Sequence, residues 1–118
     1  PHFFTLVKQH GALLAKGRLT GIQFETLFTD GLYLRIARQA INTALKLKAA
    51  MLDKGYRLYI DSPTNQQFFL LPNREIDRLS QYATFELWGP RGEEETVVRF
   101  VTSWATEERQ VDELIARL

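Results

Sequence analysis

Apolar residues recur at three- and four-residue spacing between positions 32 and 54, at Leu34, Ala37, Ile41, Ala44, Leu45, Met51 and Leu52. That period predicts a long amphipathic helix. Arg35, Arg38, Gln39, Lys46 and Lys54 fall largely on its other side. Asp30 or Gly31 can start the helix, and Gly55 can end it in a left-handed cap. After Gly55 the period drops to two. Tyr56 to Ile60 alternates and is rich in aromatic and branched side chains, which predicts a strand. Asp61-Ser62-Pro63-Thr64-Asn65 is turn chemistry, and Gln67 to Leu71 is a second strand. Pro72 ends it, and Asn73 can cap a short helix that faces Ile76 and Leu79 inward. Ala83 to Trp88 reads as a third strand with Ala83, Phe85 and Leu87 on one face. Gly89-Pro90-Arg91-Gly92 is a turn, and Thr96 to Thr102 is a fourth strand. Thr106 can cap a last helix, in which Val111, Leu114, Ile115 and Leu118 follow the i, i+3, i+4, i+7 spacing of one buried face.

The resulting order is helix, strand, strand, helix, strand, strand, helix. The fold class is α+β: a small, mostly antiparallel sheet with helices packed on it, preceded by a long connecting helix. Residues 1–31 differ in character. Phe3, Phe4, Leu6 and Val7 predict a short buried helix, Lys16-Gly17-Arg18 breaks it, and residues 20–29 can continue as helix. This segment is too apolar for disorder. It reads as a connector that packs on something, so the expected division is a connector at 1–31 and an α+β domain at 32–118.

A length of 118 residues allows one domain. The 15 Lys+Arg and 14 Asp+Glu nearly cancel, giving a net charge of +1. A nucleic-acid binder would show a basic excess. No cysteine is present, which excludes disulfides and thiolate metal sites. The two histidines, His2 and His10, are too few for a histidine metal cage. No run approaches the roughly 18 apolar residues of a membrane span, and the opening residues lack the layout of a signal peptide. A cytoplasmic location is the expectation. The chain starts at Pro1 and its one methionine is Met51, which reads as a fragment or a processed chain.

No phosphate-binding glycine motif, serine elbow or metal-spaced acid or histidine pair occurs. Glu93-Glu94-Glu95 reads as a solvated hairpin tip, because adjacent carboxylates diverge. His10 reads as a surface or interface residue. Arg99 stands out. Alternation puts Val98 and Phe100 on one face of the last strand and Arg99 on the other with Val97 and Val101. A mid-strand arginine is costly to bury unless an anion meets it, and its planar fork suits a carboxylate. An exposed face or an internal salt bridge would also account for it. Lys16 and Arg18 flank Gly17 in a basic loop suited to a phosphate or a neighbouring subunit, or to plain solvent.

The run Thr96-Val97-Val98-Arg99-Phe100-Val101-Thr102-Ser103-Trp104-Ala105-Thr106, with Glu107-Glu108 and Val111-Asp112-Glu113-Leu114 after it, resembles the C-terminal end of threonine aldolases. These are fold-type I pyridoxal-phosphate enzymes of the β-eliminating lyase group. Lys16 to Phe24 resembles the family segment that follows the cofactor-lysine region, and Leu32 to Lys54 resembles its long connecting helix. The resemblance implies a lyase that cleaves 3-hydroxy amino acids such as threonine to glycine and an aldehyde. It also implies a pyridoxal 5'-phosphate cofactor, a large domain before this segment, and a homo-oligomer. Arg99 matches the family arginine that grips the substrate carboxylate. Arg18, and with it Lys16, matches a basic position near the cofactor phosphate. The lysine that binds the cofactor has no counterpart here, so no catalytic residue is expected in this chain and the chain alone should be inactive. The alternative is a non-catalytic α+β module for ligand sensing or protein interaction. A basic helix carrying Arg35, Arg38, Lys46, Lys48 and Lys54 against nucleic acid is disfavoured by the near-neutral total.

Overall fold

The computed structural model describes residues 1–14 and 16–118. It divides into two compact units, Pro1–Tyr33 and Leu34–Leu118.

The first unit holds α1 (Phe3–Gln9), α2 (Arg18–Phe28), a single 3-10 turn at Thr29–Gly31 and the first residues of α3 (Leu32–Asp53). The helix expected around Phe3 forms, but its burial does not: Phe3 is 74% exposed and Phe4 68%. Two helices of 7 and 11 residues enclose no core of their own. The Phe28 ring meets those of Phe24 and Tyr33, with centroids 6.2 Å and 5.7 Å away.

The second unit carries the sheet. Its elements are the rest of α3, then β1 (Arg57–Ile60), β2 (Gln66–Pro72), α4 (Asn73–Leu79), β3 (Glu86–Leu87), β4 (Glu95–Val101) and α5 (Glu108–Ile115). The strand order is β1-β2-β4-β3, and every neighbouring pair is antiparallel. A register shift interrupts the outer β1 between Leu58 and Ile60, and β3 on the other edge has two paired residues. One sheet face is the core. Phe69, Leu71, Val98 and Phe100 meet Leu47 and Met51 of α3, Ile76 and Leu79 of α4, and Val111 and Leu114 of α5.

The α+β order agrees with the sequence reading, and five local expectations need correction. On α3 the buried line is Ala40, Thr43, Ala44, Leu47 and Met51, whereas the predicted Leu34, Leu45 and Leu52 are exposed. Positions 40, 43 and 44 of that line carry small side chains, and the Thr43 hydroxyl donates to the Gln39 carbonyl at 2.7 Å. The third strand is much shorter than expected. Ala83 and Phe85 do pack on the core, but Leu87 at the sheet edge stays exposed. Asn73 does not cap α4. Its amide donates to the carbonyls of Gly92 and Glu93, each at 3.0 Å, and its Oδ1 accepts from Thr96 Oγ1 at 2.7 Å. Thr106 does not cap α5 either, because its hydroxyl accepts the Ser103 amide at 2.9 Å. Glu107 is the cap, in a reciprocal box with Gln110. The fifth is the burial of α1.

Two expectations hold in detail. Gly55, at φ +86°, ends α3. Its amide reaches the Leu52 carbonyl at 2.9 Å and that of Tyr56 reaches Met51 at 3.0 Å, a Schellman closure that turns the chain straight into β1. Along β4, Thr96, Val98 and Phe100 are buried while Val97 and Arg99 are not, the expected alternation. Thr102 then anchors the strand end to α3, its hydroxyl donating to the Ala40 carbonyl at 2.7 Å.

Candidate functional site

Arg99 sits in the middle of β4 on the sheet face opposite the helices. Antiparallel pairing puts Phe68 of β2 directly across from it on one side and Glu86 of β3 on the other. Cross-strand neighbours on one face lie within side-chain reach, so register alone assembles this group. Arg99 Nη1 donates to Gln66 Oε1 at 3.0 Å, and Nη2 donates to Glu86 Oε2. The guanidinium carbon lies 4.6 Å from the centre of the Trp88 ring. Trp88 in turn meets the Phe68 ring edge-on, with centroids 5.3 Å apart. The Nε of Arg99 is buried without a partner among the described residues.

The electrostatics follow from this bed. A cation over an indole face gains about 0.5–1 kcal/mol at partly exposed sites, and the rings remove water from one side of the guanidinium. The Arg99 side chain keeps 21% of its exposure, while that of Glu86 keeps 62%. The arginine is therefore held and its anion is largely in solvent. Of the readings open at the sequence level, the internal ion pair is the one formed in this chain. Glu86, Gln66, Trp88 and Phe68 escaped notice because their closeness comes from strand register and not from spacing along the chain.

Lys16 and Arg18 lie in the first unit. Both are exposed, on either side of Gly17, whose φ of +62° leads into the first turn of α2. His10 is exposed at the end of α1. Glu93 and Glu94 are exposed, and Glu95 pairs with Arg57 across the sheet. No group of three or more acidic or histidine side chains among the described residues could hold a metal ion. No helix among them is long and apolar enough to cross a membrane. The basic side of α3 is partly neutralised. Lys46 pairs with Asp112 of α5 at 2.6 Å, and Lys48 with Asp61.

A second polar cluster lies on the rim of an open cavity of about 450 Å³. Glu75 Oε2 accepts from the Tyr56 hydroxyl at 3.0 Å and from Arg78 Nε and Nη2 at 3.0 and 2.6 Å. The Arg78 guanidinium holds the Glu75 carboxyl below its ordinary range, with the Tyr56 hydrogen bond adding to this against partial burial. Burial, and then the Glu75 carboxylate, pushes the Tyr56 hydroxyl up. All three bonds converge on Oε2 and tie the residue before β1 to α4, so we read the cluster as structural.

A four-stranded antiparallel sheet backed by helices and entered through a long helix is an α+β domain of the kind found in threonine aldolase. Among the solved structures it is similar to is threonine aldolase from Leishmania major, with a TM-score of 0.88 and 37% sequence identity over 99% of this chain. The resemblance to the C-terminal domain of a threonine aldolase is thereby borne out. The chain spans 34% of the length of that enzyme. No protein-family model matches the chain, and no curated protein sequence does.

Proposed function

We propose that this chain is the C-terminal, substrate-gripping part of a pyridoxal-phosphate-dependent aldolase that cleaves 3-hydroxy amino acids such as threonine to glycine and an aldehyde. The observation that carries the reading is the likeness over 99% of the chain at 37% identity, joined to a mid-strand arginine whose guanidinium is bedded on Trp88 with Nε unsatisfied.

Arg99 binds the α-carboxylate of the amino acid. Its fork offers two parallel donors, and its rigid bed fixes their direction, so the bond to be broken at the α-carbon is oriented by the grip at the carboxylate. When bound, the cofactor supplies the electron sink. The groups in this chain fit only the anionic parts of such an assembly. Lys16 and Arg18, exposed beside the first turn of α2, suit the cofactor phosphate, since helix N-terminal amides and a basic pair both favour an anion. The cofactor-binding lysine, the large domain and a second subunit belong to the remainder of the parent enzyme, which works in the cytoplasm as a homo-oligomer.

Two measurements test this. Purified alone and mixed with pyridoxal phosphate, the chain should show no visible absorbance of lysine-bound cofactor and no glycine or aldehyde release from threonine. A stable absorbance of that kind would overturn the assignment. In the parent enzyme, Arg99→Ala should raise KM for threonine and lower kcat/KM by about 100-fold, as loss of a charged hydrogen-bond pair of roughly 3 kcal/mol implies, with cofactor absorbance unchanged. Wild-type kinetics in that variant would remove Arg99 from the site.

A further inference from the structure

Arg99 is already paired. Its Nη2 meets Glu86 from the adjacent edge strand, while Gln66 takes Nη1 at 3.0 Å and Trp88 covers one face at 4.6 Å. Three features distinguish the Glu86 contact from the others. It uses one carboxylate oxygen, Oε2, so the two-point grip that a guanidinium can give is not complete. Arg99 Nε remains buried beside it with no partner among the described residues. The Glu86 side chain is 62% exposed against 21% for Arg99, so a released Glu86 carboxylate returns to water easily, whereas Arg99 cannot follow it. Gln66 and Trp88 are different in kind, because they are neutral and hold the guanidinium whichever anion is bound.

We infer that Glu86 is the resident counter-ion of Arg99, a stand-in carboxylate that an incoming amino acid carboxylate displaces. This rests on the carboxylate-binding role proposed for Arg99. With the site empty, Glu86 removes the cost of a half-buried cation without an anion. With a ligand arriving, Glu86 competes for the same donor and sets the apparent affinity. The ligand gains Nε, which Glu86 leaves unused, and this favours the exchange. Glu86 is thus a positioning residue that tunes carboxylate affinity from outside the reacting atoms. The Glu86 side of the pair lies largely in solvent, where an ion pair contributes little, so the competition amounts to about three- to five-fold in affinity.

The test is a titration of the full chain with acetate at ionic strength matched by chloride. It is followed through the Arg99 Nε–H and Trp88 indole resonances by NMR. The wild-type Nε–H should shift saturably as acetate binds. Glu86→Gln removes the charge at nearly constant shape, and its midpoint should fall about three- to five-fold. Glu86→Asp is one methylene too short to keep the contact and should move the same way, which covers a poorly folded glutamine variant. Arg99→Lys, followed through the Trp88 indole alone, should abolish the response. Unchanged midpoints in both Glu86 variants, with Arg99→Lys still losing the response, would overturn the counter-ion role and leave the carboxylate reading standing. No acetate response beyond the chloride control in the wild type would overturn both.

Discussion

Asn73 should be a larger determinant of stability than a polar residue at a helix start normally is. Its side chain is half-buried where β2 runs into α4, and it makes two bonds to the loop that leads into β4 and one to β4 itself. Two are donated to the carbonyls of Gly92 and Glu93 and one is accepted from Thr96 Oγ1. Each bond is worth a net 0.5–1.5 kcal/mol, about 1 kcal/mol on average. The two carbonyls regain water in Asn73→Ala. The Thr96 hydroxyl, 2% exposed, loses its acceptor and keeps only the Gly92 amide that donates to it at 3.1 Å. Alanine returns about 0.5 kcal/mol as the better helix former. The expected loss is then about 2 kcal/mol, or about 8–15 °C in Tm for a unit of this size. Urea unfolding at pH 7 followed by circular dichroism measures it. Thr96→Val removes the hydroxyl alone, and the double-mutant cycle with Asn73→Ala should give a coupling of about 1 kcal/mol. A loss below about 0.5 kcal/mol, or no coupling, would refute the claim that this side chain latches the loop.

Glu75 should make stability pH-dependent. Its carboxyl is held low chiefly by Arg78, so its contribution is complete above the unfolded value of 4.5 and disappears as pH falls through the lower folded value. Denaturant unfolding should show Glu75→Gln less stable than wild type at pH 7 and the gap closing as pH drops below 4.5; a gap of constant size would contradict the assignment. At Gly92, a side-chain Cβ would lie 2.1 Å from the Glu95 carbonyl oxygen. Gly92→Ala should therefore cost about 2 kcal/mol through displaced backbone, whereas the Tm of an Ala variant at Gly21, where a Cβ meets nothing within 4 Å, should hold or rise.

The parts of the fold legible in the sequence are those set by local chemistry. Gly55 had to adopt a positive φ to stop α3, and the alternation in Val97–Val101 fixed which way Arg99 points. The parts that were not legible depend on what packs against what. On α3 two apolar lines run along the helix, about 130° apart around the axis. Leu34, Leu45 and Leu52 carry more hydrophobicity than Ala40, Thr43 and Ala44, yet the line that is buried is the one that also holds Leu47 and Met51, the α3 residues of the core. Asn73 and Thr106 have the right side chains for helix caps, but each finds a better partner, one across the loop and one within its own turn. Arg99 was visible as a candidate from its pattern alone. Its ion pair was not, since Glu86 lies 13 residues away in sequence and becomes a neighbour only through the pairing of β3 with β4.

The two rims of the sheet bear on how copies of this chain behave at high concentration. A strand with unpaired amides invites another chain to add alongside it. Here one rim is broken by the register shift in β1 between Leu58 and Ile60, and the other has only the two paired residues Glu86 and Leu87. Neither offers the flat, uninterrupted ladder from which fibrils grow. Self-association of this sheet is thereby directed away from strand addition and toward contacts between side chains, the kind that can close symmetrically and stop.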